Sequence, residues 1–162
     1  MGIKTKFSPM GGKSAGSEVE FIRPNLSANG TLGGNSFAVS ASSQYNTTYV
    51  PYKAVDGKTN TYWQPLTSDN RLYYIFYNPQ ALKVTKLIFT PSAAQYPTGI
   101  SSFFVSNDNS VWTEISYSYS YSGSTLTTIL SSSGYYKYYK ATFSSSSLIK
   151  IKDIDITATY KV

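Results

Sequence analysis

The sequence predicts an all-β sandwich or jelly roll. Three observations predict it. Short runs rich in β-branched and aromatic residues recur at regular spacing from Asn35 onward, turn dipeptides separate them, and no stretch carries a helical period. In order, Ser36 to Ser42 alternates, with Phe37, Val39 and Ala41 on one face. Leu72 to Tyr77 is a dense aromatic run, and Val84 to Thr90 reads Val-Thr-Lys-Leu-Ile-Phe-Thr. Ser102 to Ser106 and Trp112 to Ile115 follow, then Thr125 to Leu130, Tyr135 to Phe143 and Ile149 to Tyr160. The breaks are Asp56-Gly57, Asn78-Pro79, Tyr96-Pro97-Thr98-Gly99, Asn107-Asp108-Asn109, Ser122-Gly123 and Ser133-Gly134. Ser116 to Ser122, SYSYSYS, alternates strictly, so a strand there puts Tyr117, Tyr119 and Tyr121 on one face. That ladder is a packing face first and a sugar platform second, because aromatic stripes at strand spacing usually pack.

The 162 residues suffice for one domain with a real core. Only 14% are charged, so Ser, Thr, Asn and Tyr must build much of the surface, and the 16 Tyr suit contact faces. Cysteine and histidine are both absent, which removes disulfides, thiolate chemistry and the commonest general base. With eight acidic residues and no means of building a nucleophile–base triad, the reading is a protein that is not an enzyme. The net charge of +6 is scattered rather than clustered. Lys137 and Lys140 in YYKYYK fall on opposite faces of an alternating strand and form no basic stripe, which argues against nucleic acid as a partner. No segment has the apolar length of a membrane-spanning helix.

Residues 1–34 differ from the rest. GGKSAGS, a Pro-Asn pair and SANGTLGG give them turn and linker composition, broken by the apolar pieces Ile3 to Phe7 and Val19 to Ile22. Two readings stand: an arm or attachment segment ordered against a partner, or a leader followed by a first edge strand. The expected division is an arm over 1–34 and a sandwich over 35–162 that folds without it. The first residues lack the apolar run of a signal peptide, so the expectation is a protein made in the cytoplasm that leaves by lysis or within a particle.

Residues 54–63 read AVDGKTNTYW. A calcium loop needs carboxylate and carbonyl oxygens. Asp56 offers the first, Gly57 lets the chain turn, Thr61 offers a hydroxyl and a carbonyl, and Trp63 anchors the loop to the core. An ordinary Asp-Gly turn is the alternative.

Other pieces accompany this stretch. Phe37 to Ser43 is an opening strand ending Ala-Ser-Ser, Ala54-Val55-Asp56-Gly57 runs through Thr61-Tyr62-Trp63, and Tyr73 to Pro79 and Val84 to Phe89 follow. Ile100 to Asp108 leads to Trp112, and Tyr135 to Phe143 and Ile151 to Ile156 close the series. In this order they resemble the discoidin family, the coagulation factor V/VIII C-type domains, and with them the family 32 carbohydrate-binding modules. The resemblance runs from about Asn35 to Val162. It implies a discoidin-like, galactose-binding-domain-like jelly-roll sandwich and a structural calcium ion held by Asp56, Thr61 and Asp153. The chain departs from the pattern at three places. Tyr77-Asn78 replaces Asp-Phe-Gly, Asn109-Ser110 replaces Asp-Gly before Trp112, and Asp153 stands where a longer Glu is usual.

The resemblance also implies ligand binding by loops at one end of the sandwich. Here these are Gln44 to Pro51, Thr67 to Arg71, Ala93 to Thr98 and the turn after Trp112. Tyr45, Tyr49 and Tyr96 offer aromatic faces, and Gln44, Asn46, Asn70, Arg71 and Gln95 offer planar amide or guanidinium groups for hydroxyls. These loops carry no exposed Leu or Phe pair, so membrane insertion is not expected. The expected partner is a cell-surface glycan. The leader FIRPNLSANGTLGGNSFAVS loosely resembles, in composition, the attachment segments before adhesive domains of bacteriophage tail and capsid-fibre proteins. That likeness implies a virion component anchored to other virion proteins through its arm, with homo-oligomers allowed by exposed Tyr faces. The alternative is a structural virion protein that uses the sandwich for subunit contacts.

Overall fold

The computed structural model describes residues 16–28, 37–66, 72–92, 98–131, 134–144 and 149–162. Among the described residues nine strands run β1 (Glu18–Glu20), β2 (Ala38–Ala41), β3 (Tyr73–Pro91), β4 (Gly99–Ser106), β5 (Thr113–Glu114), β6 (Tyr117–Ser122), β7 (Thr125–Leu130), β8 (Tyr136–Ser144) and β9 (Ile151–Lys161). One 3-10 turn, Pro51–Ala54, is the only helical element among the described residues. Every pairing between these strands is antiparallel.

The strands form two layers that share β3. Its first half, Tyr73 to Tyr77, pairs with β2 and β8, and β8 continues to β4 and β5. Its second half pairs with β9 and β7, which lead outward to β1 and β6. Alternation places Tyr74, Phe76, Phe103, Val105, Tyr139, Ala141 and Phe143 inside from the first layer. From the second come Val84, Leu87, Phe89, Leu126, Ile154, Ile156 and Ala158.

One sequence expectation changes. Asn78-Pro79 is not a turn between two strands but lies within the single strand β3, where the register with β8 shifts between Tyr77 and Leu82. Proline cannot donate to a ladder, and a bulge is where a strand accommodates it. Asn78 closes the irregularity by donating Nδ2 to the Gln80 carbonyl at 2.7 Å. Tyr139 supports it from inside: its buried hydroxyl donates to the Leu82 carbonyl at 2.6 Å and accepts from the Val84 amide at 3.2 Å, and its ring stacks on Phe76 at 5.0 Å. Burial pushes that phenol far above its ordinary value. Tyr139→Phe strands both backbone groups and is expected to cost about 1–3 kcal/mol, read as a lower urea midpoint with unchanged slope.

The start of the chain carries an edge strand, β1. Of the expected 1–34 arm, residues 16–28 pack into the sandwich, while the rest of that arm lies outside the described residues. Strand β1 pairs with β9, Leu26 is 2% exposed in the core, and Phe21 lies 6.0 Å from Phe37. These contacts tie residues 16–28 to the sandwich.

The departure at Asn109 has a local cause. Asn109 holds φ 60, the left-handed conformation for which glycine is the usual choice and asparagine the next. Asp108 secures the turn by accepting from the Ser110 and Val111 amides at 2.8 and 2.9 Å, and these bonds, with the Ser106 hydroxyl, hold its carboxyl down at about 2.

Candidate functional site

Residues 44–50 leave β2 and fold back over the segment that carries Trp63. The Tyr45 amide donates to the Gln64 carbonyl at 2.7 Å and the Gln64 amide to the Tyr49 carbonyl at 3.2 Å. Asn46 turns the tip by accepting the Thr48 amide at 2.8 Å, so its side-chain oxygen serves the loop itself. Trp63 is fully buried, donates its indole N–H to the Ser43 carbonyl at 2.9 Å, and makes a two-bond bridge with Ile151. The loop thus stands on a rigid base.

Three tyrosines line up on that base. Tyr49 and Tyr62 stack at 4.8 Å and 11°, and Tyr45, 53% exposed, lies 6.1 Å from Tyr49. Lys150 places its ammonium 5.0 Å from the Tyr62 ring centre. The hydrogen bond with Tyr62 pushes the Tyr49 phenol up from its ordinary value. Of the candidates read from sequence, the structure brings Tyr45 and Tyr49 together, with Gln44 and Asn46 on the same loop. Asn70, Arg71, Gln95 and Tyr96 lie outside the described residues. Tyr62 and Lys150 were missed. Tyr62 sits inside the Thr-x-Trp signature, where it reads as a spacer, and the Trp63–Ile151 bridge that carries Lys150 beside it is a contact of distant residues.

The SYSYSYS ladder divides. Tyr117 packs against the core and donates its hydroxyl to the Ile100 carbonyl at 3.0 Å, whereas Tyr119 and Tyr121 are exposed and meet edge to face at 6.2 Å.

The AVDGKTNTYW corner is closed by hydrogen bonds. Both Asp56 oxygens lie within 2.9 Å of the Thr61 hydroxyl, and one accepts the Lys58 amide at 3.0 Å. Gly57, at φ +74, makes the turn. Asp153 faces the guanidinium of Arg23: Nη2 lies 3.1 Å from its Oδ1, and Nη1 donates to the Val55 carbonyl at 2.9 Å. Burial holds the Asp153 carboxyl above its ordinary value, with Arg23 opposing the rise.

This donor set does not fit calcium. The ion takes six to eight oxygens, but Asp56 is engaged by Thr61 and Lys58, and Asp153 and the Val55 carbonyl are engaged by a group that is itself cationic. Among the described residues no three acidic side chains converge.

Comparison with known proteins agrees with this architecture. No curated protein matches the chain in sequence. Among solved structures, CBM32-6 of the GH89 protein of Clostridium perfringens is similar at TM-score 0.58 and 22% identity, covering 78% of this chain and 94% of that one. CBM32-5 from the same organism, in complex with GalNAc-β-1,3-galactose, is similar at TM-score 0.64 and 16% identity, over 74% and 94%. The family 32 module of C. perfringens NanJ, in complex with galactose, is similar at TM-score 0.59 and 19% identity, over 75% and 93%. The all-β sandwich and its likeness to family 32 modules are as the sequence led us to expect. The family model of the F5/8 type C domain matches residues 38–157, most of the chain, and the protein belongs to that family.

Proposed function

We propose that the protein is a non-catalytic carbohydrate-binding module whose binding surface is the Tyr45–Tyr49–Tyr62 strip with Lys150 at its end. The observation that carries this reading is the stacked pair Tyr49 and Tyr62 beside an exposed Tyr45 on a loop fixed by Trp63. An aromatic face accepts the apolar side of a pyranose ring, and the Gln44 amide and the Asn46 Nδ2 on the same loop suit its hydroxyls. Support also comes from the family 32 modules of like fold, two of which are in complex with galactose-containing sugars. The ligand in this reading is a cell-surface glycan. Placement on a bacteriophage particle rests on the composition of the leader alone.

A second reading, contact with a neighbouring protein subunit, is favoured by the outer face of the β2-β3-β8-β4-β5 layer. Tyr77 and Tyr138 lie 4.5 Å apart there, and the Lys140 ammonium sits 4.3 Å from the Trp112 ring and 4.9 Å from that of Phe104. Half-exposed aromatic faces of this kind are common at protein contacts.

A glycan-array screen of the purified chain, followed by titration of the best ligand, separates the two. The expected result is binding that Tyr49→Ala weakens about tenfold or more and that Tyr119→Ser on β6 leaves intact. Loss of binding in Tyr119→Ser alone would move the site to β6. No binding across a broad array would favour the subunit reading.

A further inference from the structure

The Arg23 contacts join parts of the chain that the sequence keeps far apart. Arg23 precedes the region matched by the family, 38–157, yet its guanidinium bridges β9, through Asp153, to the loop after the 3-10 turn, through Val55. Its side chain is only 11% exposed. It also donates to the Pro24 carbonyl at 3.2 Å and approaches Asn25 Oδ1 at 3.5 Å. The next residue of that loop is Asp56, whose charge, after that of Asp155, bears unfavourably on Asp153. A carboxylate on the last strand, a second on the loop and a backbone carbonyl between them form an oxygen-rich corner that requires positive charge.

We propose that Arg23 is the built-in counterion of this corner and stands in for the calcium ion that the family resemblance implies. The sandwich then closes without dissolved metal. Arginine suits the role because it is always charged and its planar fork meets a carboxylate and a carbonyl at once. It is also part of the chain, so its occupancy does not follow the calcium concentration of the surroundings as a bound ion's does. A calcium ion entering the same space would meet a like charge. Arg23 also bears on the proposed binding end. The loop that it holds runs through Asp56 and Thr61 into Tyr62, so docking of residues 16–28 positions the aromatic strip. Arg23 is a positioning residue there, with no contact to ligand.

The test uses the full chain and needs no glycan, so its outcome is independent of the carbohydrate reading. Thermal midpoints are measured in chelator and in millimolar calcium, and terbium is titrated with emission excited through Trp63 and the nearby tyrosines. The expected wild-type result is a midpoint that calcium shifts by less than about 1 °C and no saturable terbium emission. A true site filled at about a hundred times its Kd would raise the midpoint of a chain this size by roughly 5–10 °C. Arg23→Ala is expected to lower the midpoint by about 5 °C. If that variant does not fold, Arg23→Lys keeps a charge but loses the fork and is expected to fall between the two. Calcium stabilisation of the wild type, saturable terbium emission from it, or an unchanged midpoint in Arg23→Ala or Arg23→Lys would each overturn the proposal.

Discussion

Deleting residues 1–28 is expected to remove on the order of 5 kcal/mol of stability, a large part of the roughly 5–15 kcal/mol that a domain of this kind possesses. Leu26 is 2% exposed and lies within the main core, so losing it alone costs about 2–5 kcal/mol. Arg23 takes a carboxylate partner from Asp153. That pair is discounted to about 1–2 kcal/mol because the Asp153 side chain is 34% exposed. Removal of β1 also leaves β9 as an unpaired edge, with a row of free backbone groups and a tendency to aggregate. Guanidinium unfolding compares the full chain, a chain beginning at Gly16, and a chain beginning at Asn29. The chain from Gly16 keeps every one of these contacts and is the reference for the chain from Asn29. Equal midpoints for all three would show that the packing of residues 16–28 contributes nothing to stability.

Trp63→Ala is expected to cost about 3–5 kcal/mol. The indole is fully buried, packs edge-on against Tyr74 at 5.3 Å and lies 6.2 Å from Phe143. Its N–H satisfies the Ser43 carbonyl, which alanine would leave unpaired. Trp63→Phe separates these contributions, because it refills most of the space and loses only the donor. It is expected to fall about 1–3 kcal/mol short of the wild type. Since Ser43 leads directly into the Tyr45 loop, Trp63→Phe is also expected to loosen the Tyr45–Tyr49–Tyr62 strip, read as weaker binding of any glycan found on the array. A Trp63→Ala variant with an unchanged midpoint would mean that the cavity collapses freely, against the density of aromatic contacts around it.

The sequence by itself determined the fold class, the identity of most strands and which side of each faces the core, because those follow from local alternation and turn chemistry. It also marked Trp63 as an anchor and Gly57 as a turn, since each acts through its own type. It pointed to Tyr45 and Tyr49 through the loop that carries them. Only the tertiary structure decided the rest. The Asn78-Pro79 pair reads locally as a break, and β3 continues through it because Tyr139, on a strand far along the chain, satisfies the Leu82 and Val84 backbone groups. The resemblance implies Asp153 as a calcium ligand, and only the tertiary structure places Arg23, 130 residues away, against it. Tyr62 and Lys150 become part of the candidate site only when the Trp63–Ile151 bridge brings their segments together. A side chain's type is written in its own position, but its partner is chosen by chain closure over long separations, and no local pattern records that choice.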